Sequence, residues 1–208
     1  ASALELNWKA RLEICKDIAR GLKYLHEGSE FNIIHGDLKA SNVFLMDDSD
    51  PPTAKISDYG LAKFHEEENP FSSTKKPRNL MYIAPEYASL TDITVKADVY
   101  SFGVLLLEII SGKRCVEYKG DKPTEILLFE ANKLNRENDS KRLVDKRIEN
   151  ENEREEASSL VELAMKCTNR VPEHRPKMSE ILDKLELIGK ENDHHEISID
   201  KSHADDYP

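Results

Sequence analysis

Three side chains in the stretch Ile33 to Leu45, I-I-H-G-D-L-K-A-S-N-V-F-L, could act on one substrate: the carboxylate of Asp37, the ammonium of Lys39 and the amide of Asn42. A second carboxylate, Asp58, opens the run D-Y-G beyond the next apolar segment. Phosphoryl transfer needs oxygen ligands on short loops for a metal and its phosphates, one carboxylate aimed at the attacking hydroxyl, and a cation for developing negative charge. Asp37, Lys39, Asn42 and Asp58 supply those four groups. Taken singly, each Asp or Asn is a turn residue that bonds its own backbone; only the ordered set carries the chemistry.

These groups must be held by the elements around them. From Trp8 to Glu27, apolar residues at Leu12, Cys15, Ile18, Ala19, Leu22 and Leu25 repeat with a helical period, which predicts an amphipathic helix. Asn7 is its expected N-cap, and Gly28 the residue that ends it in a left-handed conformation. Val43 to Met46 and Ala54 to Ser57 are short apolar runs parted by D-D-S-D-P-P-T, which predicts a small hairpin. Residues 58 to 86 carry Pro70, Pro77 and Pro85 without a sustained period and read as a long functional loop. Val95 to Ile110 is apolar on nearly all sides, as in a helix surrounded by protein. Further helices are expected over Thr124 to Leu134, Arg154 to Cys167 and Met178 to Ile188, with Pro123 and Pro176 near helix starts. Between them, Asn135 to Glu156 offers only Leu143, Val144 and Ile148 for burial. From Gly189 a core pattern is lacking, and a disordered acidic tail is expected over 189–208.

The 208 residues suffice for one sizeable core. With 30 Lys plus Arg against 40 Asp plus Glu, the net charge of −10 argues against nucleic acid or an anionic membrane as partner. Cys15, Cys115 and Cys167 are far apart and lack metal-ligand spacing, so each reads as a core thiol in a reducing compartment. The N-terminal residues have no basic region followed by an apolar stretch, so no signal peptide is expected. Phe102 to Ile110 is about half a membrane span and contains Glu108, so no membrane span is expected.

H-G-D-L-K-A-S-N, D-Y-G, I-A-P-E and D-V-Y-S-F-G, in this order, resemble the catalytic loop, the metal-binding D-F-G, the end of the activation segment and the start of the central helix of a protein kinase. The opening N-W-K-A-R-L-E-I-C-K-D-I-A-R-G-L-K-Y-L-H is similar to the plant receptor-like group of Ser/Thr kinases. The resemblance implies a mainly α fold: the C-terminal, large kinase lobe over 1–188, helical with a small β-hairpin near the catalytic loop. It makes Asp37 the carboxylate that orients the substrate hydroxyl and takes its proton, and Lys39 the cation that stabilises the transferring group. It implies ATP and Mg2+ as cofactors, the metal held by Asn42 and Asp58 and the adenine resting on Phe44. His35, Tyr59 and Asp98 take structural parts, two stacked rings anchored by a carboxylate that accepts backbone N–H groups. Glu86 and Arg175 are an expected buried ion pair. Ser72, Ser73 and Thr74 are candidate phosphorylation sites, where a phosphate would meet Lys75, Lys76 or Arg78.

Three departures qualify what the resemblance implies. No G-x-G-x-x-G or V-A-I-K stands before His35, so the parts that cover ATP in a complete kinase are not among these residues, and ATP binding by this chain is expected to be weak. Gly36 occupies the position of an Arg that pairs with a phosphorylated activation segment. Arg78-Asn79-Leu80-Met81-Tyr82 stands where the family has G-T-x-G-Y, with Asn79 the residue available for the bond that Thr would make. Two readings follow: a Ser/Thr kinase lobe acting on a protein substrate, largely inactive as this chain, or a pseudokinase-type module that binds a partner kinase or receptor. The location implied is cytoplasmic, at the inner face of the plasma membrane through a partner or an upstream segment.

Overall fold

The apolar period of the first segment builds helix α1 over Trp8–Glu27. In this computed structural model, which describes residues 6–28, 32–46, 49–58, 77–89, 94–120 and 122–199, the Asn7 side chain caps α1 by accepting from Ala10 N at 2.8 Å. Leu12, Cys15, Ile18, Ala19, Leu22 and Leu25 are all buried. Gly28 departs from expectation: its φ of −96° is right-handed, and its N–H still donates to Tyr24 O. The helical ladder is thereby extended by one bond, and no left-handed turn is needed.

The chain then forms the His35 segment and a hairpin. Strand β1, Val43–Met46, pairs antiparallel with β2, Thr53–Ile56, from Val43 opposite Ile56 to Met46 opposite Thr53. Asp17 on α1 accepts from Ala54 N at 2.9 Å and fastens the hairpin to the helix. Residues 59–76, with Tyr59, Ser72, Ser73 and Thr74, lie outside the described residues. The following segment forms short 3-10 helices over Pro77–Tyr82 and Pro85–Ser89.

Helix α2, Lys96–Ser111, is buried over most of its circumference, as its apolar run requires. Helix α4, Glu151–Cys167, crosses it at Gly103, where an added Cβ would sit 2.7 Å from Cys167 Cβ. Only glycine permits that approach. Ahead of α4, Leu143, Val144 and Ile148 are buried. Between the last two, Asp145 accepts from Arg11 Nη2 at 2.7 Å and ties this charged connection to α1. Burial pushes the Asp145 carboxyl up, but hydrogen bonds from Arg147 and Arg11 outweigh it and hold the group below its ordinary range.

The helix expected from Thr124 begins later. Strands β3, Val116–Lys119, and β4, Lys122–Ile126, form a second hairpin, and helix α3 runs over Leu127–Arg136. Pro123 therefore sits in a strand, opposite Tyr118 and beside a register shift between Glu117 and Tyr118. A two-stranded ribbon has open edges where a missing N–H costs no ladder bond, and β-branched Thr124 and Ile126 favour extension. Helix α5, Met178–Ile199, starts after Pro176 and packs on α1, where Glu27 accepts from Ser179 N at 3.0 Å. Its backbone continues past Ile188 to Ile199, so a helix stands at the start of the stretch expected as a tail. Lys, Glu, Asn, Asp and His there carry no helix breaker except Gly189, which a helix tolerates at roughly 1 kcal/mol. The fold is mainly α, with the expected hairpin after the His35 segment and a second one ahead of α3. All three thiols are free and buried, and burial pushes Cys15 and Cys167 to about 12 and Cys115 to about 11. They are protonated core groups rather than nucleophiles.

Candidate functional site

Leu38, 1% exposed, anchors the segment between α1 and β1 in the core, and a 3-10 turn over Ala40–Asn42 leads it into the strand. The turn points Asn42 back: its Nδ2 donates to Asp37 O at 2.8 Å and to Asp37 Oδ2 at 3.2 Å. Lys39 Nζ reaches the same Oδ2 at 2.5 Å. One carboxylate thus holds a cation and an amide while remaining exposed to solvent. Such a group can accept a hydroxyl proton, with the ammonium poised to follow a developing negative charge.

Asp58 arrives from β2 in a left-handed conformation, φ 60°. Ser57 N and Ser57 Oγ donate to Asn42 O at 3.0 and 3.3 Å, and Ser57 Oγ also donates to Asp58 Oδ2 at 3.1 Å. Ser57 therefore links the two loops. With its Nδ2 committed to Asp37, Asn42 has its side-chain oxygen as the remaining ligand atom, and Ser57 connects its loop to the exposed Asp58 carboxylate. A hard cation suits this oxygen set. Among the described residues no three His, Cys, Asp or Glu side chains cluster as metal ligands. Mg2+ matches such a site, because it takes one or two protein oxygens and completes its shell with water and substrate phosphates.

Beneath the loop, Asp98 at the start of α2 is 1% exposed. It accepts from His35 N at 2.7 Å and from Gly36 N at 2.8 Å. Gly36 has φ 79°, a conformation that glycine adopts without strain. A third contact, His26 Nε2 to Asp98 Oδ2 at 2.9 Å, was not legible in the sequence. It looks there like any polar residue at the end of an amphipathic helix, and no spacing rule joins it to a residue on α2. Because its partner is an acceptor, the His26 Nε2 carries the proton.

His35 is fully buried. Burial lowers its pKa below the ordinary 6.5, against the pull of Asp98 in the opposite direction. As pH falls through 6.5, the unfolded chain takes up a proton here that the folded chain resists, so stability falls. Urea midpoints taken from about pH 7.5 to about 5.5 should decline, and less steeply in a His35→Asn variant. Equal slopes in the two proteins would show that His35 is not the group responsible.

Phe44 on β1 is 56% exposed, next to half-exposed Leu45 and Met46. The hairpin therefore presents an apolar shelf beside the Asp37 cluster. Arg175, fully buried, pairs with Glu86 through two bonds, Nη1 to Oε1 at 2.6 Å and Nη2 to Oε2 at 2.8 Å. Within the Arg78 to Met81 turn, Met81 packs against the core. Tyr82 bonds Glu108 through its hydroxyl, and Ser101 Oγ donates to Tyr82 O at 2.7 Å. That attachment to α2 was also missed, since nothing in the sequence pairs a loop tyrosine with a helix carboxylate.

Residues 2–185 match the family model described as protein tyrosine and serine/threonine kinase. The chain belongs to the protein kinase family. A probable leucine-rich-repeat receptor-like Ser/Thr protein kinase of Arabidopsis thaliana is 44% identical over 89% of this kinase chain. The receptor-like Ser/Thr kinase ALE2 of the same plant is 40% identical over 90% of it. The chain spans 18% of the first relative's length and 25% of ALE2. A solved structure, the pseudokinase domain of BIR2, described as an immune regulator of the RLK/Pelle family, matches with TM-score 0.73 and 29% identity. That match covers 90% of this chain and 54% of the BIR2 chain. Among the described residues, no helix of this kinase chain is long and apolar enough to cross a membrane.

Proposed function

We propose that this chain is a receptor-like kinase lobe built for ATP-dependent phosphoryl transfer to protein Ser or Thr, and that by itself it runs the reaction at most weakly. The observation that carries the chemistry is the Asp37 carboxylate, bonded at once to Lys39 Nζ and Asn42 Nδ2. Asp37 orients the substrate hydroxyl and takes its proton, and Lys39 stabilises the transferring group. Asn42 and Asp58 supply the oxygens for Mg2+, whose positive charge bound phosphates would share. Phe44 lies beneath the adenine, with His35, Tyr59 and Asp98 supporting the loop and the Glu86–Arg175 pair supporting the activation segment. Ser72, Ser73 and Thr74 are sites for regulatory phosphate. With Phe44 more than half exposed, adenine rests on a shelf rather than in a cleft and gains little from burial.

Phosphoryl transfer to a generic protein substrate with Mg2+ and ATP, by this chain and by an Asp37→Asn variant, tests the proposal. No transfer above background is expected from either protein. Transfer that vanishes in the variant overturns the weak-activity half and keeps the kinase half. Thermal unfolding adds a second reading: a ligand at 100 times its dissociation constant stabilises the fold by about 2.7 kcal/mol, and millimolar Mg2+ with ATP is expected to give far less.

A second reading, a pseudokinase-type module that holds a partner kinase or receptor, is favoured by the exposed Phe44 and Met46 on one face of β1 and by the similarity to the BIR2 pseudokinase domain. The location that fits both readings is the cytoplasm, at the plasma membrane through the partner.

A further inference from the structure

The two residues that supply metal oxygens are held by different means. Asn42 is buried, and its amide is fixed by two bonds to Asp37. Asp58 is exposed and stands at φ 60°, a conformation that non-glycine residues adopt rarely, Asp among them where its side chain bonds locally. The local bond here comes from half-buried Ser57, whose Oγ lies 3.1 Å from Asp58 Oδ2.

That hydroxyl has two acceptors in reach and one proton to give. The carbonyl of Asn42 lies 3.3 Å from Oγ, but it already accepts from Ser57 N at 3.0 Å. The carboxylate is the closer of the two and, being charged, the stronger acceptor. The proton therefore goes to Asp58 Oδ2, and Oδ1 is left as the oxygen for a cation. An exposed carboxylate that turns freely loses that freedom when a ligand binds, whereas one already bonded loses less.

We propose that Ser57 is a positioning residue for the metal site: its hydroxyl holds the Asp58 carboxylate, and its N–H ties the same loop to Asn42. The proposal rests on the reading that Asn42 and Asp58 hold Mg2+, and it names what sets the strength of that hold. Ser57 itself touches neither metal nor phosphate. Hydrogen-bond partners of metal ligands typically govern about 10- to 100-fold in affinity.

Mn2+ is the probe, because it takes the same oxygen ligands as Mg2+ and broadens the resonances of nearby amides. Titrated into the 15N-labelled chain, it should broaden the amides of Asn42 and Asp58 saturably. In Ser57→Ala the half-point should rise by about 10- to 100-fold. The backbone bond from position 57 to Asn42 O survives that change, so the urea midpoint should stay close to the parent's. Ser57→Thr keeps a hydroxyl and should bind Mn2+ nearly as the parent does. Equal half-points in the parent and Ser57→Ala overturn the role of Ser57 and leave the metal site standing. A weakening shared by Ser57→Thr also overturns it, since the loss would then report packing at position 57 and not the hydroxyl. Absence of broadening at Asn42 and Asp58 in the parent brings down the metal reading itself, and this proposal with it.

Discussion

Replacing Arg175 by Met should lower the free energy of unfolding by about 3–5 kcal/mol, because Glu86 loses its two bonds to a guanidinium in a nearly buried site. The guanidinium does more than neutralise Glu86. Its Nε donates to Asn169 O at 2.7 Å and its Nη1 to Lys96 O at 2.8 Å. It also stacks over the Tyr100 ring at 5.1 Å from the centroid. One side chain therefore joins the 3-10 turn of Pro85–Ser89, the start of α2 and the segment before α5. Met is similar in reach and apolar, so the loss reports the charge and its hydrogen bonds rather than an empty hole. Urea unfolding should give a lower midpoint with an unchanged slope, as expected of a change in stability alone.

A double variant, Arg175→Met with Glu86→Leu, separates the pair from the other bonds. Removing both charges eliminates the carboxylate that has lost its guanidinium, so the double variant should recover part of the loss. The two carbonyls at Asn169 and Lys96 stay without their donor, so recovery should be incomplete. A single variant that costs under about 1 kcal/mol would mean that water reaches Glu86 and that the pair does not hold the turn.

What could be read from the sequence follows from how local each signal is. α1 was legible to its ends because an apolar period, an N-cap and a closing glycine all lie within one segment. The hairpin of β1 and β2 was legible because two apolar runs flank prolines and acids. β3 and β4 were not, since the K-P-T-E-I run has a pattern short enough to suit either the end of a strand or the beginning of a helix, and Pro123 favours both. The ordered motif set located Asp37, Lys39, Asn42 and Asp58. The links that hold those loops together, Ser57 to Asn42 and His26 to Asp98, join residues whose pairing depends on how elements pack. No periodicity encodes that.

Asp98→Ala should be the second large loss, and it acts on the site rather than on the turn after it. The carboxylate accepts from two buried donors, His35 N–H and His26 Nε2–H, and from the half-buried Gly36 N–H. A buried donor without a partner costs about 1–3 kcal/mol, so the two buried ones alone should cost roughly 2–6 kcal/mol. Asp98→Asn is the sharper variant, because it keeps the shape and turns one acceptor oxygen into a donor facing an N–H group. His26→Ala removes only one of the three bonds and should cost less than either. Stability alone would not tell a core contact from a loop anchor, and amide hydrogen exchange does. In Asp98→Asn the amides of His35 and Gly36 should exchange much faster, while the Ala10 amide capped by Asn7 keeps its protection. Asp37 is the next residue in the chain after Gly36. Release of the Gly36 amide therefore frees the backbone that aims the Asp37 carboxylate at Lys39 and Asn42. If His35 and Gly36 stay protected in both Asp98 variants, the loop is held by something other than this carboxylate, and α2 does not fix the backbone of Asp37.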